Sequence, residues 1–123
     1  MIRITRAYDP PSADDGRRFL IDRLWPRGRT KAALKIERWL RHVAPSDALR
    51  KDFQHDPAKW PEFRKRYLAE LRANPDGLET LVDAARTGTV TLVYAARDER
   101  HNNAVVVREF LTRRTRSRRP PAS

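Results

Sequence analysis

The chain is 123 residues long, about one domain's worth, and its 39% apolar and 35% charged residues keep it in the globular range. Lys and Arg total 27 against 16 Asp and Glu, giving a net charge of +11 that favours encounter with polyanions and anionic metabolites. With no cysteine, disulfides, thiolate nucleophiles and Cys-ligated zinc or iron–sulfur centres are excluded.

Ile2 to Thr5 alternates apolar and polar residues and predicts a short first strand. Asp9-Pro10-Pro11-Ser12 and Asp14-Asp15-Gly16 are turn chemistry, and Phe19 to Leu24 predicts a second strand closed by Trp25-Pro26-Arg27-Gly28. Thr30 then caps an expected helix whose apolar face is Ala33, Ile36, Trp39, Leu40 and Val43. Pro45-Ser46 opens a short helix through Leu49 and Phe53, and Asp56-Pro57 caps another carrying Trp60, Phe63, Tyr67, Leu68 and Leu71. Asn74-Pro75 repeats that signature for a helix with Leu78, Leu81, Val82 and Ala85, ended by Gly88. Thr89 to Ala96 is the most continuous apolar run, rich in β-branched residues, and predicts a buried central strand. A last helix follows with Ala104, Val107 and Leu111 on one face.

Strands separated by helices predict an α/β fold, with a small mainly parallel sheet of three or four strands flanked by about five helices. Residues 1–112 form the expected single domain. Residues 113–123 hold five arginines and no acid, and read as an unstructured basic tail. No apolar run approaches the roughly 20 residues that span a bilayer, and the opening MIRITRAYDP lacks an apolar signal segment. The expectation is therefore a cytoplasmic protein with no membrane partner.

Ligands of open α/β sheets bind beyond the carboxyl ends of the strands. Two polar segments occupy those ends: Asp22 to Gly28, and Arg97-Asp98-Glu99-Arg100-His101-Asn102-Asn103. The second opens a helix, whose free amides and partial positive charge suit an anion. Arg23, Arg27, Arg97 and Arg100 add planar donors matched to phosphate or carboxylate, Trp25 a stacking face, and Asn102 and Asn103 neutral donors. His101 is the candidate general acid or base, with Asp98 three residues away to orient it.

Each has a plainer alternative. Asp98 or Asn102 caps the last helix, Asp22 and Arg23 form a buried ion pair, Trp25 is a packing corner, and His101 is a surface histidine. His55-Asp56 reads as a turn and cap, and Trp39, Trp60, Phe63 and Tyr67 read as core at helical spacing. No two histidines stand at metal-ligand spacing, and four glycines in all leave no phosphate-binding P-loop. Neither a metal nor an organic cofactor is expected.

YDPPSADDGRRFLIDRLWPRG, VAPSDALRKDFQHDPAKWPEFRKRYLAEL and LVYAARDERHNNAVVV stand in this order along the chain. Together they resemble the YeaO-like proteins, a domain-of-unknown-function family, over about residues 2–112. The resemblance implies a small cytoplasmic bacterial α/β protein and no established activity. Longer members of that group place Cys and His-Arg in the loop equivalent to Asp98–Asn103, and a chain without Cys inherits no thiol chemistry from them. This chain also departs at Asp52-Phe53-Gln54, where the resemblance implies an aromatic residue and a glycine.

The functional expectation is binding of a small anionic ligand between the two polar segments, with turnover left open. The alternative is non-specific nucleic-acid binding, or a regulatory role, through the basic surface and the arginine-rich tail. Oligomeric state is not readable from the sequence.

Overall fold

The computed structural model describes residues 1–116. Four strands form one sheet: β1 (Ile2–Arg6), β2 (Arg17–Leu20), β3 (Arg38–Trp39) and β4 (Val90–Tyr94), in the order β1-β4-β2-β3. Every pairing is parallel, with Ile2 opposite Val90 on one side of β4 and Arg17 opposite Val90 on the other. β4 is buried along its whole length, which is why it reads as an uninterrupted apolar run.

The two faces of the sheet are covered differently. Phe19, Ile21, Leu92 and Tyr94 enter the large core, whereas the intervening Leu20 and Val93 enter a smaller cluster with Ala7 and Leu34. This alternation is the two-residue period of a strand. The large core is roofed by α2 (Asp47–Phe53), α3 (Trp60–Arg72), α4 (Pro75–Thr87) and α5 (Asn103–Arg116). Ser46 caps α2 at the Leu49 amide and Asn74 caps α4 at the Gly77 amide, as their sequence positions predict. Glu70 on α3 accepts from both the amide and the hydroxyl of Ser46 and so anchors the start of α2.

The segment 30–43 departs from expectation. The helix capped by Thr30, α1 (Lys31–Leu34), lasts one turn and closes on Lys35 in the left-handed region at φ 49°. The chain then turns onto the edge of β2, where the Glu37 amide donates to Arg18 O and the Leu40 amide to Leu20 O. Backbone pairing with the sheet thus overrides a spacing that also satisfies a helix, and Trp39 sits on β3 rather than on a helical face. The second strand also ends earlier than expected, at Leu20, so that Asp22 to Leu24 belong to the loop.

At the other end, α5 runs through Arg116, four residues beyond the expected domain boundary, so Arg113, Arg114 and Arg116 are helical. The rest of the expected tail lies outside the described residues. No helix among the described residues is long and apolar enough to cross a membrane.

Candidate functional site

β2 and β4 are parallel neighbours, so the loops leaving them emerge at the same edge of the sheet. Between these loops and the start of α2 lies a cavity of about 340 Å³. Arg23, Trp25, Arg27, Asn102 and Asn103 all line it, which brings together five of the sequence-predicted residues from segments more than 70 positions apart.

The loop after β2 is held by its own indoles. Trp39 Nε1 donates to Asp22 O at 2.7 Å, and Trp25 Nε1 donates to Arg29 O at 2.6 Å. The two rings meet edge to face with centroids 5.4 Å apart. Trp25 is therefore a packing corner and a cavity wall at once. Across the mouth, the Tyr8 hydroxyl donates to Arg27 O at 3.0 Å.

The arginines differ in their freedom. Arg23 leans on Asp47 at 3.3 Å and donates to Pro45 O, so the expected Asp22–Arg23 ion pair does not form. Arg50, a wall residue that the sequence did not single out, shares Asp47 with it at 3.4 Å. The Arg27 guanidinium is exposed and engages no other described side chain or backbone group.

Asn102 and Asn103 open α5. Asn102 Oδ1 accepts from the Val105 amide and its Nδ2 donates to Asp98 O, making Asn102 the buried N-cap. Asn103 Nδ2 donates to Ile21 O at 3.2 Å and to Asp22 Oδ1 at 2.9 Å. The other Asp22 oxygen accepts from the Ala95 amide at 2.8 Å. Burial raises the Asp22 pKa above the ordinary carboxylate range, against the lowering effects of Asn103, the Ala95 amide and the positive potential of His55.

Asp98, His101 and Arg97 stand outside the cavity walls. Asp98 Oδ1 accepts from the Arg100 and His101 amides, and Asp98 Oδ2 lies 2.9 Å from His101 Nδ1. The hydrogen bond from His101, then that from the Arg100 amide, lowers the Asp98 pKa. The expected histidine–carboxylate pair thus exists, but the His101 ring packs edge-on against Trp60 at 5.2 Å, behind the aromatic wall of Phe53 and Phe63.

Asp22, Arg50 and His55 line the cavity without having been singled out for it by sequence reasoning, which read Asp22 as an ion-pair partner of Arg23 and His55 as a turn and cap. His55 follows Gln54 in a double left-handed turn after α2, at φ 55° and 47°, and lines the cavity. The glycine that the resemblance implied within Asp52-Phe53-Gln54 would suit the left-handed backbone at Gln54. The available signal was a carboxylate directly after an apolar strand. Among the described residues no group of three His, Asp or Glu is placed to hold a metal ion.

The comparisons with known proteins agree with one another. An uncharacterised protein, YeaO, of Escherichia coli (strain K12) is 39% identical over 110 residues, covering 89% of this chain and 96% of that protein. Uncharacterised proteins Rv3073c of Mycobacterium tuberculosis and Mb3100c of Mycobacterium bovis are each 35% identical over 113 residues, covering 92% of this chain and 95% of theirs. No solved structure matches the chain at a significant level. With a family model matching residues 1–123 and relatives aligned along nearly their whole length, the chain belongs to the YeaO-like proteins of unknown function, in the family described as the inactive DUF488-N3 subclade.

Proposed function

We propose that this protein binds a small anionic ligand, bearing phosphate or carboxylate, in the cavity at the carboxyl ends of β2 and β4. The observation that carries the reading is Arg27, an exposed guanidinium with no partner among the described residues, on the rim of a cavity that Arg23 and Arg50 also line. Guanidinium groups match the planar oxygen pairs of phosphate and carboxylate. Asn103, with its amide directed at Asp22, fixes the floor against which such a ligand seats.

The reading assigns binding rather than turnover. Asp98 and His101, the candidate acid–base pair, face Trp60 and the start of α5 instead of the cavity. The description of the family as inactive points the same way. Calorimetric titration with inorganic phosphate tests it. Arg27→Ala should weaken binding by about 10- to 150-fold, by the loss of a charge-assisted hydrogen bond worth roughly 1.5–3 kcal/mol, whereas Arg113→Ala on α5 should leave it unchanged. Absence of binding, or an equal effect of both substitutions, would overturn the reading.

The nucleic-acid alternative rests on the +11 charge. Arg114 lines a shallow groove with Asp76, Glu79 and Asp83 of α4, so acids adjoin one of the arginines on which that alternative depends. Its signature would be a log–log salt dependence with a slope of about −0.9 per phosphate contact on duplex DNA.

A further inference from the structure

We propose that the cavity's ligand is a nucleoside monophosphate, with a guanine-type base edge read by Asp22 and the phosphate held by Arg27 and Arg23. This deepens the anion-binding reading above and rests on it.

The first observation is the state of Asp22. It lines a cavity whose other charged wall residues are Arg23, Arg27 and Arg50, beside the titratable His55, yet among the described residues it enters no ion pair. Each of its oxygens accepts one hydrogen bond, Oδ1 from Asn103 and Oδ2 from the Ala95 amide. A carboxylate has about four acceptor sites, so one remains on each oxygen. Those two contacts also fix the carboxylate plane. A part-buried carboxylate on a cavity wall with an acceptor site left on each oxygen is available to a ligand's donors. The upward shift of its pKa by burial agrees, since nothing in the protein compensates its charge fully.

The second observation is the shape and chemistry of the walls. Trp25, Phe53 and Phe63, with Pro26 and Pro45, line the same cavity as Asp22 and the arginines and give it flat apolar surface. Such walls take a planar ring. A volume of about 340 Å³ admits a ligand of mononucleotide size.

Three features must therefore coincide in one ligand: a donor-bearing edge, a flat body and an anionic end. An aliphatic amino acid or a sugar phosphate lacks the flat body, and an aromatic amino acid or aromatic carboxylate offers at most a single ring-edge donor group rather than an adjacent pair. A nucleoside monophosphate has all three. Among purines, guanine offers two adjacent donors, N1–H and the 2-amino group, to the paired carboxylate oxygens. Adenine offers one amino donor beside an acceptor ring nitrogen, which would face a carboxylate oxygen and repel it.

The test is calorimetric titration of the full chain with GMP, IMP, AMP and inorganic phosphate. GMP should bind about tenfold more tightly than AMP or phosphate, with IMP, which lacks the 2-amino donor, in between. Asp22→Asn should abolish the preference for GMP over AMP while phosphate affinity does not fall, since the substitution removes a negative charge from the cavity. The IMP comparison uses the unaltered protein and holds even where Asp22→Asn fails to fold. Equal affinity for GMP and AMP would overturn the assignment of Asp22. GMP binding no more tightly than phosphate would overturn the nucleotide and leave the anion site standing. Failure of every compound to bind would remove both.

Discussion

Asp22 and Asn103, 81 positions apart in sequence, share a 2.9 Å hydrogen bond at the floor of the cavity. The same asparagine amide reaches Ile21 O, so the first residue of α5 is tied to the end of β2. With the Ala95 amide on the other Asp22 oxygen, the loops after β2 and β4 are tied to one another by side-chain and backbone bonds. The candidate site is therefore a product of the parallel β2–β4 pairing and not of either loop separately.

Asn103→Ala should remove that tie. Two hydrogen bonds from one part-buried amide are lost, one of them to a carboxylate, and a cost of about 1–3 kcal/mol is expected in urea denaturation. Phosphate binding should weaken along with stability. A variant as stable as the parent would show that the two loops are held by packing.

Asp22 should leave a mark on the pH dependence of stability. Its folded pKa is raised, so the native state binds the proton more tightly than the unfolded chain does. The stabilisation from protonated Asp22 is complete below the unfolded pKa and is lost as pH rises through the raised folded value. Denaturation of Asp22→Asn and parent across the acid range should therefore show the variant gaining relative to the parent as pH rises through that window. A constant difference would mean that Asp22 is not perturbed.

Asp15 works with the opposite sign. Burial alone would raise its pKa, but the Ser12 amide and the Arg18 guanidinium outweigh it, and the folded value is lowered. Its contribution is present above the unfolded pKa and is lost as pH falls through the folded one. Asp15 and Arg18 are both buried, at 4% and 5% exposure, so removing Asp15 would leave the Arg18 guanidinium in the interior without its carboxylate partner. Asp15→Ala should cost about 3–5 kcal/mol in chemical denaturation. A cost below about 1 kcal/mol would place the pair with ordinary surface ion pairs.

Gly16 follows Asp15 with φ 63° and ψ −132°, a backbone open in practice only to glycine. A Cβ there would stand 2.2 Å from Thr89 O, the carbonyl that accepts from the Arg17 amide where β2 begins its pairing with β4. Gly16→Ala should destabilise by more than the roughly 1–3 kcal/mol of backbone strain alone, because backbone must also move. Thermal unfolding measures it, and an unchanged midpoint would contradict this geometry.

Much of the fold was legible because local signals and tertiary demands agree. Within the apolar run from Thr89 to Ala96, the strand Val90–Tyr94 is buried on both faces, and Ser46 and Asn74 cap the helices that their positions announce. Residues 30–43 were not legible. Ile36, Trp39, Leu40 and Val43 satisfy helical spacing, but the left-handed Lys35 and the free edge of β2 decide the outcome, and both lie beyond periodicity.

The site was legible in part for the same reason. Strand ends and their arginines can be read in order along the chain, so Arg23, Arg27, Asn102 and Asn103 were within reach. The role of Asp22 depends on an asparagine 81 residues away, and that of His55 on a double left-handed turn with no glycine in it. Asp98 and His101 have the spacing of a catalytic pair, which a helix start also produces for its own capping.

The central claim is that the loops after β2 and β4 form one anion site, and amide chemical-shift mapping by NMR during a phosphate titration tests it most directly. The account predicts saturable shifts at Arg23, Arg27, Ala95, Asn102 and Asn103, with Arg113 and Arg116 on the far end of α5 unmoved. Shifts concentrated at Arg113 and Arg116, with the cavity residues silent, would contradict it.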